Sequence, residues 1–329
     1  MPQSRVLSFG DPDSYAAAVR ATNVELLVTS RGRFSAELVQ VDLGRLLLQQ
    51  GADCLPRIVR LSNHPKRAPI VFLADYNQAP VQHDGVDVAP GEIIAFSPAA
   101  TSHQRTSGPC RWAAMSLTSE DLRIAAESII GRELTPPPTT RVVQPNPSRM
   151  ARLMSLHEAA MHLARAAPDT LARPQTAKSL EQALVHAMVT CLDARQPAKT
   201  KTAMRHHSRV IARFEGFLAA RRYEPAYLAE ICAAIGVSER TLRTCCHEHL
   251  GMGPIHYLWL RRMHLAQRAL LHADPVATTV TRIATDFGFW ELGRFSVEYR
   301  ALFGESPSAS LHRPPDKAVN RQALPGISR

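Results

Sequence analysis

At 329 residues the chain is longer than one ordinary core organises, so two or three domains are expected. It is 45% hydrophobic and 21% charged with no low-complexity tract, which excludes a disordered or collagen-like protein. The longest uninterrupted apolar stretch, Ala68 to Ala74, falls far short of the roughly 20 residues a membrane span needs. No secretion signal opens the chain, and a cytoplasmic protein without membrane contact is expected.

The formal charge is +10, and it is unevenly spread. Residues 1–195 carry 20 Lys and Arg against 18 Asp and Glu, whereas residues 196–329 carry 19 against 11, together with eight of the fourteen His. A one-sided basic excess suits a phosphate-bearing partner or, more blandly, a soluble basic surface. Six cysteines include no C-x-x-C pair and no run with His at zinc spacing, so reduced thiols, no metal and no cofactor are expected. Cys245 and Cys246 are adjacent; on a helix they point about 100° apart, which favours core packing over a disulfide.

In chain order, a short helix (Ser14 to Arg20) precedes strand-like runs at Phe34 to Leu43, Arg45 to Gln49, Leu55 to Leu61, Pro69 to Ala74, Val81 to Val88, Glu92 to Phe96 and Arg111 to Leu117. Asp84-Gly85, Pro90-Gly91 and Gly108-Pro109 punctuate them, the pattern of a barrel or sandwich. A helix begins near Ser119, and the proline-rich stretch from Thr135 to Pro147 is a loop. Two amphipathic helices follow, at Ser148 to Ala166 and Leu171 to Ala194. The apolar stripe of the second either completes the first domain or meets a partner chain. The expected division is 1–195, a β-rich domain to about 118 and helical after; 196–204, a polar linker (QPAKTKT at its start); 205–313, all helical; and 314–329, a loose tail.

The helical part contains a repeat. Leu228 to Val237 and Val280 to Phe289 superpose without a gap at an offset of 52 residues. Each is a short helix ended by a Gly, and each is followed by a second helix, the first of these capped by Ser238. Helix, glycine turn and polar-faced helix is the helix-turn-helix plan. A long helix, His256 to His272, joins the copies and can hold two recognition helices about 34 Å apart, one turn of DNA.

From about Arg209 to Arg313 the chain resembles the DNA-binding domain of the AraC/XylS family of transcription regulators. GVSERTLR, HLGMGPIHYLWLRRMHLAQRAL, VTRIATDFGF and GRFSVEYRALFGESPS carry the resemblance in order, and between Gly288 and Ser308 the wording is nearest to ethanolamine-utilisation regulators. The resemblance implies seven helices, two helix-turn-helix units and no chemistry of their own. More loosely, the β-rich part resembles the family's cupin-like effector domain. The fold class is therefore α+β: a cupin-like N-terminal domain with a helical segment, then an all-α domain.

On the first recognition helix Leu242 and Cys246 face the core, leaving Glu239, Arg240, Arg243, Thr244 and His247 outward. The resemblance puts Arg240, Arg243 and Thr244 at base-reading positions, though the family usually has a basic residue where Thr244 stands. An arginine fork can donate two bonds to a guanine edge. On the second helix Leu292, Gly293, Ser296 and Val297 are outward, Val297 standing where the family commonly has Arg, while Arg294 and Arg300 remain for phosphates. Phe289 and Trp290 are expected to be structural.

His64, His83 and His103 lie among the strands without an H-x-H pair, so surface or loop positions are expected. His256, His264 and His272 are read as one solvated face. No P-loop, G-x-G-x-x-G, G-x-S-x-G or H-E-x-x-H occurs, and no enzyme is expected. The leading expectation is an effector-responsive activator that binds double-stranded DNA as a homodimer, answers an unknown small molecule and engages RNA polymerase. The alternatives are a cupin-type metalloenzyme fused to a DNA-binding module, and a repair methyltransferase-regulator, against which the absence of clustered cysteines argues.

Overall fold

The computed structural model describes residues 2–193, 202–221, 227–313 and 319–320. The first domain opens with β1 (Gln3–Phe9), α1 (Pro12–Ala18), β2 (Thr22–Val28), β3 (Ala36–Asp42), β4 (Leu47–Asp53), β5 (Arg57–Asn63) and β6 (Arg67–Leu73). Shorter strands follow, β7 (Val81–His83), β8 (Val86–Val88), β9 (Ile93–Ala95) and β10 (Thr101–Arg105), then β11 (Cys110–Thr118). It closes with α2 (Ser119–Ile130), β12 (Arg141–Val143), α3 (Pro147–Ala166), α4 (Pro168–Ala172) and α5 (Pro174–Leu192). The second domain contains α6 (Thr202–Ala220), α7 (Leu228–Ile235), α8 (Glu239–Leu250), α9 (Pro254–His272), α10 (Val280–Asp286), α11 (Leu292–Phe303) and α12 (Pro307–Leu311). Most of the expected linker lies outside the described residues, and 202–204 belong to α6. In the expected tail, Val319–Asn320 (β13) pairs with β1.

Two antiparallel sheets make a sandwich, one ordered β12-β9-β6-β11-β4-β3-β1-β13 and the other β2-β5-β10-β7-β8. Register explains the layering. Met115 of β11 stands opposite Leu48 and Ile70, and these residues share one core with α2, α3 and α5. Ala114, opposite Gln49 and Val71, points to the other face and lines a cavity between the sheets. The stripe of α5 (Leu184, Val185, Met188, Cys191) is fully used in the first of these cores, so it completes the domain instead of awaiting a partner.

Strand existence was legible where apolar residues alternate; β1, β2, β10 and β12 are additional. Strand β10 reads Thr-Ser-His-Gln-Arg and shows no apolar alternation, because its polar side chains face the inter-sheet cavity on one side and the helical domain on the other. The run Val81 to Val88 is a hairpin, β7 and β8, that turns at Asp84-Gly85 with φ of 46° and 83°. Two successive positive φ values are what a two-residue type I′ turn requires, and Asp-Gly supplies them. Thr118, rather than Ser119, caps α2 by accepting from the Asp121 N–H at 3.0 Å.

The smaller sheet also seats the helical domain. Leu26, Val59 and Gln104 face the cavity, whereas Leu27 and Ile58, one residue out of phase, enter the cores of the helical domain. Arg105 packs against Gly251 at the end of α8, and Arg268 of α9 pairs with Asp13, its Nε at 2.9 Å. Among the described residues no helix is long and apolar enough to cross a membrane.

Candidate nucleic-acid interface

In the first unit α7 ends at Gly236, whose φ of 69° gives the left-handed turn that lets the chain reverse. Ser238 then caps α8, its Oγ accepting from the Thr241 N–H at 3.1 Å. Leu242, Cys245 and Cys246 are fully buried among Phe214, Ile231 and Ile235, which orients the helix. Burial pushes the Cys245 thiol up to about 11 and that of Cys246 up to about 12, so both are inert packing groups. Glu239, Arg240, Arg243, Thr244 and His247 are exposed on the opposite face. Glu239 accepts from Arg243 at 3.1 Å, a pair one helical turn apart that aims the guanidinium without burying it.

The second unit repeats the scaffold with different surface chemistry. Thr279 caps α10, and Gly288 turns the chain with a φ of 76°. Phe295, Tyr299 and Leu302 anchor α11, and the Tyr299 hydroxyl contacts the Ser310 Oγ at 2.7 Å. Leu292, Gly293, Arg294, Ser296, Val297 and Arg300 are exposed. Phe289 is structural as expected, packed on Phe295 at 4.8 Å beneath the Arg262 guanidinium. Trp290 is not: it is 78% exposed. The residue after the turn is held by the core, while the next one points away.

Helix α9, 19 residues and hence about 28 Å long, bridges the two units. Arg243 and His247 from the first and Arg294 from the second line one open groove of about 890 Å³. Arg262 of α9 and Arg31, from the loop between β2 and β3, join them, and Glu298 is the single carboxylate in the lining among the described residues. Glu298 holds both the Arg294 Nε at 2.8 Å and the Trp259 indole N–H at 3.0 Å. Arg31 had no signal in the sequence, because only the docking of the β domain brings it to the groove.

A helix-turn-helix domain family matches residues 231–313. The probable thc operon regulatory protein of Rhodococcus erythropolis is 39% identical over 99 residues, 30% of this chain and 30% of that protein. XylDLEGF operon transcriptional activator 2 of Pseudomonas putida is 37% identical over 79 residues, 23% of this chain and 50% of that protein. The helical part is a DNA-binding domain of the AraC/XylS type. A probable AraC family regulator from Rhodopseudomonas palustris is 32% identical over 32% of this chain and all of that chain, with a TM-score of 0.30. The AraC-like activator CuxR covers 80% of this chain and 94% of its own at 16% identity and a TM-score of 0.36. The alignments thus span half or less of the two regulators named first.

The AraC/XylS-type domain buries polar groups where it meets the sheet. Glu215 of α6 accepts from the Tyr257 hydroxyl and lies 3.8 Å from the His103 Nε2. Burial works to raise that carboxyl, but the neighbouring His103, Tyr257 and Arg261 outweigh it and hold the group below its usual range. His83 and His103 are buried, not surface residues: the helical domain covers His103, whereas His83, in register with Gln104, packs on Phe96 at 5.3 Å; His64 is exposed. His264 is likewise buried, its Nε2 3.0 Å from the Val28 carbonyl, while His256 and His272 are exposed. The shared solvated face fails on geometry, since each eight-residue step along a helix turns the side chain by about 80°.

Proposed function

We propose that the chain is an effector-responsive activator of transcription in which residues 1–195 sense a small molecule and pair two chains, and residues 205–313 hold double-stranded DNA. On this reading it has no catalytic chemistry, and as an activator it engages RNA polymerase. The observation that carries the effector link is the sheet β2-β5-β10, one face of which lines the inter-sheet cavity while the other seats the AraC/XylS-type domain. A ligand that shifts those strands acts on both recognition helices through a single layer of backbone.

The cavity is narrow, about 70 Å³, and its lining includes Tyr15, Arg57, Asn63, Phe96, Gln104 and Trp112. The amide nitrogens of Asn63 and Gln104 are buried without a hydrogen-bond partner among the described residues. Donors left in an apolar space suit a small ligand with an apolar body and a carbonyl or carboxylate oxygen. At the DNA, Arg243 is assigned a base edge, with Arg240 and Thr244 beside it and Glu239 and His247 flanking. Arg294 and Arg300 are assigned phosphates, and Leu292, Gly293, Ser296 and Val297 supply close apolar or hydroxyl contact only.

Footprinting on DNA upstream of its own and neighbouring genes, with and without small carboxylates, tests the reading. Paired protected sites whose occupancy changes with one such ligand are expected. Sedimentation of the full chain beside fragment 205–313 tests the pairing: a full chain that stays monomeric and binds no tighter than the fragment sinks the division of labour.

A further inference from the structure

A cluster of metal-ligating side chains lies beside the first recognition helix, away from its DNA-facing groove. His207 comes from α6, and Glu248 and His249 from the last turn of α8. One ligand atom from each of the three lies within 4.8 Å of the other two. The His207 Nδ1 and the Glu248 Oε2 are 2.5 Å apart, joined across 41 residues of sequence. His249 is 2% exposed, and its Nδ1 is buried with no hydrogen-bond partner among the described residues. An imidazole nitrogen in that position is costly unless something occupies it. The side chains of His207 and Glu248 are 22% and 49% exposed, so an ion has a path to the cluster from solvent.

We propose that His207, Glu248 and His249 form a binding site for a divalent transition-metal ion of the zinc, cobalt or nickel class. Two imidazoles and a carboxylate are the donor set that class prefers, and they disfavour calcium and magnesium, which take oxygen ligands. In a tetrahedral site with bonds of about 2.1 Å the ligand atoms stand roughly 3.4 Å apart. His207 and Glu248 would part by about an ångström, and any proton they share would leave to solvent as the ion takes its place. Three protein ligands leave one position open for water. The consequence is mechanical. The ion ties α6, the helix that follows the linker, to the end of the first recognition helix, one residue beyond His247.

The test uses tag-free full-length protein stripped with a chelator and titrated with Co²⁺ by visible absorption, then with Zn²⁺ by calorimetry. One ion per chain is expected, bound more tightly than micromolar, with the Co²⁺ bands bleached by Zn²⁺. His207→Ala and Glu248→Gln alter partly exposed side chains, and circular dichroism establishes that each variant is folded. Each should weaken binding by at least about tenfold, and the double variant should abolish the bands. Zn²⁺ should raise the Tm of the wild type and not that of the double variant. Absence of tight Co²⁺ binding by the wild type overturns the proposal, as does unchanged affinity in a folded double variant.

Discussion

The two helix-turn-helix units share a scaffold and differ in surface. Both turn at a left-handed glycine, both place a capped helix in the second position or before it, and both bury an apolar row beneath the recognition helix. On α8 the exposed row is Glu239, Arg240, Arg243, Thr244 and His247, rich in hydrogen-bonding groups. On α11 it includes Leu292, Gly293 and Val297, the last 70% exposed, and beside it stands the exposed Trp290. Scaffold and readout are thus separable: buried positions decide that a helix is presented, and outward positions decide what it can recognise. Hydrogen-bond donors discriminate base edges, whereas apolar groups touch little beyond a thymine methyl.

The largest expected effect comes from removing one scaffold. Phe295→Ala should cost about 3–5 kcal/mol by emptying the core beneath α11. Full-length affinity should collapse toward that of one unit, while binding-site selection still returns the preference of the first half-site. Loss of preference in both halves would mean that the units do not read separately.

Next come the readers. Arg243→Ala should lower affinity by roughly 1–3 kcal/mol and relax preference at one base pair, because Arg243 stands outward on α8, tethered to Glu239. Val297→Ala should be nearly silent by the same selection. A saturation scan of the operator should find costly changes in one half of each site and mild ones in the other; equal costs across both halves refute the contrast. Arg300→Ala should weaken every sequence alike and flatten the salt dependence by about one ion, read from titrations at several salt concentrations.

The smallest expected effect concerns docking of the second unit. Burial holds His264 below the usual imidazole value of 6.5, opposed by the Val28 carbonyl, Asp13 and Asp11 and assisted by Arg268. Its neutral form is the docked one, and the exposed ring takes up a proton more readily. Docking is therefore intact above pH 6.5 and weakens as pH falls below it. Hydrogen exchange along β2 and α9 should accelerate on acidification. His264→Gln keeps a donor for Val28 but cannot charge, and should blunt that response.

Much of this was legible one turn at a time. The repeat at an offset of 52, the Ser238 cap and the outward residues of α8 follow from spacings of three, four and seven, and the structure has them as read. The β domain was legible where apolar residues run together or alternate, as in β6 and β11, and invisible in β10, whose polar residues face a cavity on one side and a second domain on the other. Trp290 was misread because the same turn buries Phe289 and exposes its neighbour, a difference that only the packing reveals.

By itself the sequence determined the class of the helices, the two helix-turn-helix units, the basic C-terminal part and the AraC/XylS-type character of the helical domain. Caps, glycine turns and periodic apolar rows act through neighbours within a turn or two, so they need no knowledge of the rest of the chain. Tertiary structure alone decided that Leu27 and Ile58 complete the helical cores, that α5 spends its stripe inside its own domain, and that His207 meets Glu248 and His249. Burial and convergence depend on which distant surface arrives to exclude water, and no local spacing encodes that arrival.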